Sequence, residues 1–195
     1  MRDHGAVVFN GDGYSEDWQV EAAARGLPNL RTTLDALPEL ISESAMELFS
    51  DYEVFSHREM HSRYEIGLEH YTLSVGVEAR LILEIGTTSV LPAAVRHQTE
   101  VAQNLGALKA AGVDPDLSVL AEISTPLAEL RSALATLRAA LADDAGSTAL
   151  EEAQHSRDAL LPAMAAVRAA ADALEGLVAD DLWPLPTYQE MLFVL

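Results

Sequence analysis

Between Leu117 and Leu141 the large apolar residues recur in steps of three or four: Leu117, Leu120, Ile123, Leu127, Leu130, Leu134, Leu137 and Leu141. That spacing puts them on one stripe of a helix, with Glu122, Glu129, Arg131, Arg138 and several alanines on the other side. A stripe of this kind is not stable alone, so the pattern requires other helices to cover it.

The same rhythm appears twice more. Ser56 followed by Glu59 is a capping box, and Met60, Tyr64, Leu68, Tyr71 and Val75 share one face beyond it. After a weak stretch at 72–76, Val77, Leu81, Ile85, Thr88, Leu91, Val95, Ala102, Leu105 and Leu108 carry the pattern to a stop at Gly112. Asp114-Pro115 reads as the cap and first residue of the next helix. A last long helix, capped by Ser147 or Thr148, runs through Leu150, Ala153, Arg157, Leu160, Met164, Val167, Ala171, Leu174 and Val178. Arg157 fits at the edge of that seam, with its stem buried and its head wet. The short connections at 112–115 and 143–148 force neighbouring helices to run antiparallel. The predicted fold is all-α: an elongated up-down antiparallel bundle of three to four long helices, each reaching roughly 40–50 Å at ~1.5 Å per residue. Pro92, Pro126 and Pro162 fall inside these patterns. Each removes a backbone donor and costs roughly 3 kcal/mol unless a kink absorbs it. The matching strings LPAAVR (91–96) and LPAMAAVR (161–168) are what alanine-rich helices produce by chance.

The ends read differently. Ala6–Phe9 is a short β-type run stopped by the turn Asn10-Gly11-Asp12-Gly13, and no second strand follows to pair with it. Ser15 caps a helix that stops near Arg25-Gly26, Thr33 caps a turn over Leu34–Leu37, and another helix runs from Pro38 or Ser42 to Phe49. Residues 1–55 thus form a strand, a turn and short wrapping helices, and residues 56–182 form the bundle. Residues 183–195 leave it as an extended apolar tail that docks on the body or on something absent.

Of the 195 residues, 49% are hydrophobic and 22% charged, a composition that folds. The charge is lopsided, 31 acidic residues against 12 basic, a formal −19, which disfavours nucleic acid and anionic membrane surfaces as partners. The chain has no cysteine, which excludes disulfides and thiolate chemistry and suits a reducing cytoplasm. The first residues lack the apolar core of a signal peptide, and no segment approaches the ~20 apolar residues of a spanning helix.

Candidate chemistry is thin. His57 and His61 stand four apart and could share a metal, but Glu59 does not directly follow the first histidine as in the zinc-protease pattern. A solvated helix start accounts for them better. Asn10-Gly11-Asp12-Gly13 departs from a calcium loop, with Tyr14 and Ser15 where a ligand and a glycine belong. No serine sits in a nucleophile elbow. Met60, Tyr64 and Tyr71 have core spacing, not that of a cofactor box.

FNGDGYSEDW (9–18), GLPNLRTT (26–33), ALPEL (36–40), SRYE (62–65), LPAAVRHQ (91–98) and WPLPTYQEMLF (183–193), taken together and in this order, resemble the C-terminal portion of type III glutamine synthetases. The resemblance implies an ATP-dependent ligase that joins ammonia to glutamate through a γ-glutamyl phosphate, with Mg²⁺ or Mn²⁺, in large homo-oligomers of hexameric rings. It also implies that the catalytic, metal-binding and nucleotide-binding residues belong to domains preceding this portion, and that the absent partner of the 183–195 tail is a catalytic domain. None of those motifs occurs here, so no catalytic, cofactor-binding or metal residue is assigned to this chain. The chain alone is expected to be inactive, a structural and assembly element whose partners are the catalytic domain of the same enzyme and neighbouring subunits. A free-standing helical interaction or regulatory module is the alternative. An independent small-molecule or metal-binding bundle is a third reading.

Overall fold

A computed structural model describes Gly5 and residues 7–143, 145–186 and 188–192. Among these residues the chain is helical and contains no strand. It divides into two compact units, Met1–Leu68 and Glu69–Leu195.

In the first unit the expected strand is absent over Val7–Phe9; Ala6 lies outside the described residues. Val8 N–H donates to the Gly5 carbonyl at 3.1 Å, and Arg25 Nη1 donates to the Val8 carbonyl at 2.7 Å. Phe9 stacks on Trp18 with ring centroids 4.5 Å apart. A local turn, an arginine and an aromatic pair thus give this segment the partners that a second strand would otherwise supply. Helix α1, Glu16–Ala24, is capped by Ser15 as its sequence predicts, and the chain leaves it through Gly26 at φ +75°. Helix α2, Thr33–Ala36, starts one residue earlier than expected, because the Thr32 hydroxyl, not that of Thr33, accepts from Asp35 N–H. A 3₁₀ turn over Leu37–Ile41 leads to α3, Glu43–Asp51, capped by Ser42. Leu34, Met60 and Leu68 are buried, and Leu37 lies so close to Gly67 that an added Cβ would fall 2.8 Å from its Cδ2.

Helix α4, His57–Ile85, opens on the predicted capping box and runs unbroken through 72–76. It continues through a π-helical turn, Gly86–Val90, into α5, Leu91–Ala110. Helix α6, Ser118–Ala142, begins three residues beyond Pro115, because Asp116 accepts from Ser118 N–H and hydroxyl and holds 116–118 in a turn. Helix α7, Ala149–His155, has a full capping box between Thr148 and Glu151. A second π turn, Ser156–Leu160, joins it to α8, Leu161–Glu175. A short helix α9, Tyr188–Leu192, stands in part of the segment expected to be extended; Thr187 and 193–195 lie outside the described residues.

Each π turn comes directly before a Leu-Pro pair. Leu91 N–H bonds to the Gly86 carbonyl and Leu161 N–H to the Ser156 carbonyl, five residues back. The widened turn lets Pro92 and Pro162 follow where a regular α-turn would set the proline ring against a carbonyl. Pro126 has no such turn and sits buried inside α6.

The core of the second unit forms where α6 meets α8 and α5. From α6 it takes Ile123, Leu127, Leu130, Leu134 and Leu137, the heart of the predicted stripe; Leu117, at 62% exposed, falls outside it. From α8 come Met164, Val167 and Leu174. On α4 and α5 the inward face takes the expected Val75, with Leu91 and Val95 packed against it, and adds Ala79, Gly86, Val90 and Ala94, while the expected Leu81, Ile85 and Thr88 are exposed. Small residues let the helices approach, while Ile82, Leu83, Leu91 and Val95 pack against the rim of the core.

Candidate functional site

The carboxylates with clear hydrogen-bond roles serve the ends of helices. Glu59 is held below the usual carboxylate range by Ser56, whose N–H and hydroxyl both donate to it. Asp116 is lowered in the same way by Ser118, and Glu151 by Ser147 and Thr148. Asp158 is lowered by the guanidinium of Arg157, its neighbour in sequence, which shows Arg157 engaged in an exposed ion pair. Carboxylates stabilised as anions are poorly placed to give up a proton near neutral pH. Glu59, Asp116 and Glu151 close helix ends and turns, and Asp158 holds a neighbouring arginine.

His57 and His61 lie exposed in the first turns of α4, with Met60 buried between them. Among the described residues no three His, Cys, Asp or Glu side chains gather as a metal would require. Asp12 is spent on its own turn: its Oδ1 accepts from Tyr14 N–H at 2.9 Å and its carbonyl from Ser15. Tyr64 and Tyr71 are half-buried in the core pattern. The described residues do not gather a ligand set for the divalent metal implied for a complete glutamine synthetase.

The second unit carries several cavities. A shallow groove of about 760 Å³ between α6 and α8 is lined mostly by alanines, with Glu129, Thr136 and Asp158 at its polar positions. A smaller one, about 270 Å³, is lined in part by Thr72, Arg80, Asp143 and His155. His155 Nε2 is 2.9 Å from the Ala140 carbonyl, which ties α7 to the end of α6. Trp183 packs against the core, with Nε1 buried and unpartnered.

The expected core positions Val77, Leu81 and Ile85 fall on an exposed face of α4. Leu73, Val77, Leu81 and Ile85 lie along it at 63%, 44%, 50% and 40% exposed. Periodicity finds such a row but cannot say which of two apolar faces turns inward.

The chain matches the family model described as glutamine synthetase C-terminal domain over residues 1–109. It belongs to that family. It is 36% identical to a type-3 glutamine synthetase of Dictyostelium discoideum, across 98% of this chain and 27% of that protein. A glutamine synthetase of Butyrivibrio fibrisolvens is 35% identical across 98% of this chain and 28% of the relative, and one of Bacteroides fragilis 28% identical across 96% and 27%. The chain therefore spans little more than a quarter of the length of these relatives. The family match ends within α5, while the similarity to the whole proteins extends over α6–α8 as well. This glutamine synthetase C-terminal domain is all-helical, and no described helix is long and apolar enough to cross a membrane.

Proposed function

We propose that this C-terminal domain is a structural and assembly element of a type III glutamine synthetase, an enzyme that joins ammonia to glutamate at the expense of ATP. It contributes no catalytic group of its own. The observation that carries this reading is the match to the C-terminal domain family in a chain little more than a quarter as long as its relatives. The polar groups of the chain support it, since its lowered carboxylates act as caps or surface ion pairs. The long helices of the second unit form an antiparallel bundle, a reading supported by the short connections at 111–117 and 143–148. Such a bundle docks on the catalytic domain and on neighbouring subunits in the cytoplasm.

Purified alone with ATP, glutamate, ammonia and Mg²⁺, the 195-residue chain is expected to form no glutamine. Joined to the remainder of the Butyrivibrio fibrisolvens enzyme in place of that enzyme's own C-terminal portion, it supports activity and assembly. Turnover by the isolated chain would overturn the reading.

A further inference from the structure

The row Leu73, Val77, Leu81 and Ile85 on α4 stays 40–63% exposed, with Leu73 also bordering the smaller cavity beside α7. Steps of four residues keep these side chains within about a third of the helix circumference and along roughly 18 Å of its length. Isolated exposed leucines are ordinary, but an aligned row of large apolar side chains marks a surface that meets something. Its rim is mixed: Glu69, Glu78 and Glu84 flank it, with Arg80, whose guanidinium folds back over Gly76.

Area and charge distinguish the possible occupants. Four side chains offer on the order of a few hundred Å², well below the roughly 1,200 Å² that a specific interface between free proteins buries. A second copy would also bring another −19 to a rim already rich in glutamate. A tethered partner escapes both difficulties, because a covalent link raises its effective concentration enough for a small apolar strip to hold it. The relatives carry nearly three-quarters of their length beyond what this chain spans.

We infer that the Leu73–Ile85 face of α4 is where the remaining portion of the synthetase docks, through an apolar ridge with basic side chains opposite Glu78 and Glu84. This inference rests on the function proposed above and names the surface through which it acts.

The absence of cysteine in this chain makes the test clean. Leu81→Cys and, separately, Val77→Cys are labelled with a maleimide in the isolated chain and in its fusion to the remainder of the Butyrivibrio fibrisolvens enzyme. Modification at each site is read by peptide mass spectrometry, with Leu117→Cys as the exposed reference. The expected result is that the thiols introduced by Leu81→Cys and Val77→Cys react about ten-fold or more slowly in the fusion, with the reference unchanged. Equal labelling in an active fusion would overturn the inference and leave the proposed function standing. An inactive, unassembled fusion would overturn both. Protection already present in an isolated chain that light scattering shows to be dimeric would assign the face to a second copy and overturn the inference.

Discussion

Gly86 lies so near Leu134 that a Cβ built on the glycine falls 2.7 Å from the leucine Cδ2, with Val167 Cγ1 at 3.6 Å. Leu134 is itself buried, so its methyl group has little room to retreat. A glycine inside a helix normally costs about 1 kcal/mol relative to alanine. Here the close approach of the π turn to α6 reverses that preference.

Gly86→Ala is therefore expected to destabilise the chain by about 1–3 kcal/mol, the usual range for overpacking. Gly106 in α5 has nothing within 4 Å of an added Cβ. Gly106→Ala is expected to stabilise by about 0.5–1 kcal/mol. Urea denaturation of the two variants checks both signs, and a gain at Gly86 would contradict the packing described.

Leu130→Ala and Leu137→Ala each remove a fully buried side chain from the centre of the α6 seam. Each is expected to cost about 2–5 kcal/mol. Leu117→Ala, at the exposed start of the same periodic series, should stay within roughly 0.5 kcal/mol of the parent. The contrast in denaturation midpoints separates the real stripe from its extrapolation.

The capping and ion-paired carboxylates make stability depend on pH in one direction. Glu59 and Glu151 have folded-state values below the ordinary 4.5, and Asp116 and Asp158 below 3.8. A group lowered on folding contributes above its unfolded value, and the contribution fades as pH falls through the folded one. The melting temperature should hold through neutral pH and decline as the solution is acidified below about 4.5, the ordinary glutamate value. In Glu151→Gln the decline should be shallower, because that carboxylate no longer titrates. A scanning-calorimetry series in both proteins tests this, and parallel declines would remove Glu151 from the account.

Trp183 offers a different contrast. Its ring packs on the core, yet its Nε1 is buried without a partner. Trp183→Phe keeps most of the apolar contact and removes an unsatisfied donor, so it should change stability by less than about 1 kcal/mol. Trp183→Ala should cost about 3 kcal/mol or more. Equal losses in the two variants would mean that Nε1 has a partner in solution.

The physics of the fold was unevenly legible in the sequence. The caps at Ser15, Ser56 and Thr148 follow from local chemistry, and so does the interior of the α6 seam. Ala6–Phe9 looked like a strand because β-branched and aromatic residues suit one; the partners that Val8 and Phe9 find, Gly5, Arg25 and Trp18, give its local pattern no signature. Val75, Leu91 and Val95 were legible on α4 and α5, but between them the reading by side-chain size followed Leu81, Ile85 and Thr88, since Ala79, Gly86 and Ala94 carry little hydrophobic signal. No catalytic constellation could be read. On the surface along Leu73–Ile85, Val77, Leu81 and Ile85 were visible as periodicity and expected inside, and Leu73 fell in the stretch that broke the pattern.

The π turns have a consequence for chain length. Val75 and Ala94 stand nineteen positions apart, which in an uninterrupted helix, at about 100° per residue, leaves them pointing a quarter-turn or more away from each other. The widened loop at Gly86–Val90 swallows the surplus residue, and both contribute to one core. Shortening the chain by one residue there, with Pro92 exchanged for alanine, would restore an ordinary helix and keep the facing intact. The same deletion elsewhere in α4 or α5 would swing everything beyond it off axis. Insertions and deletions between related chains should therefore be tolerated at these two places and selected against in the neighbouring turns.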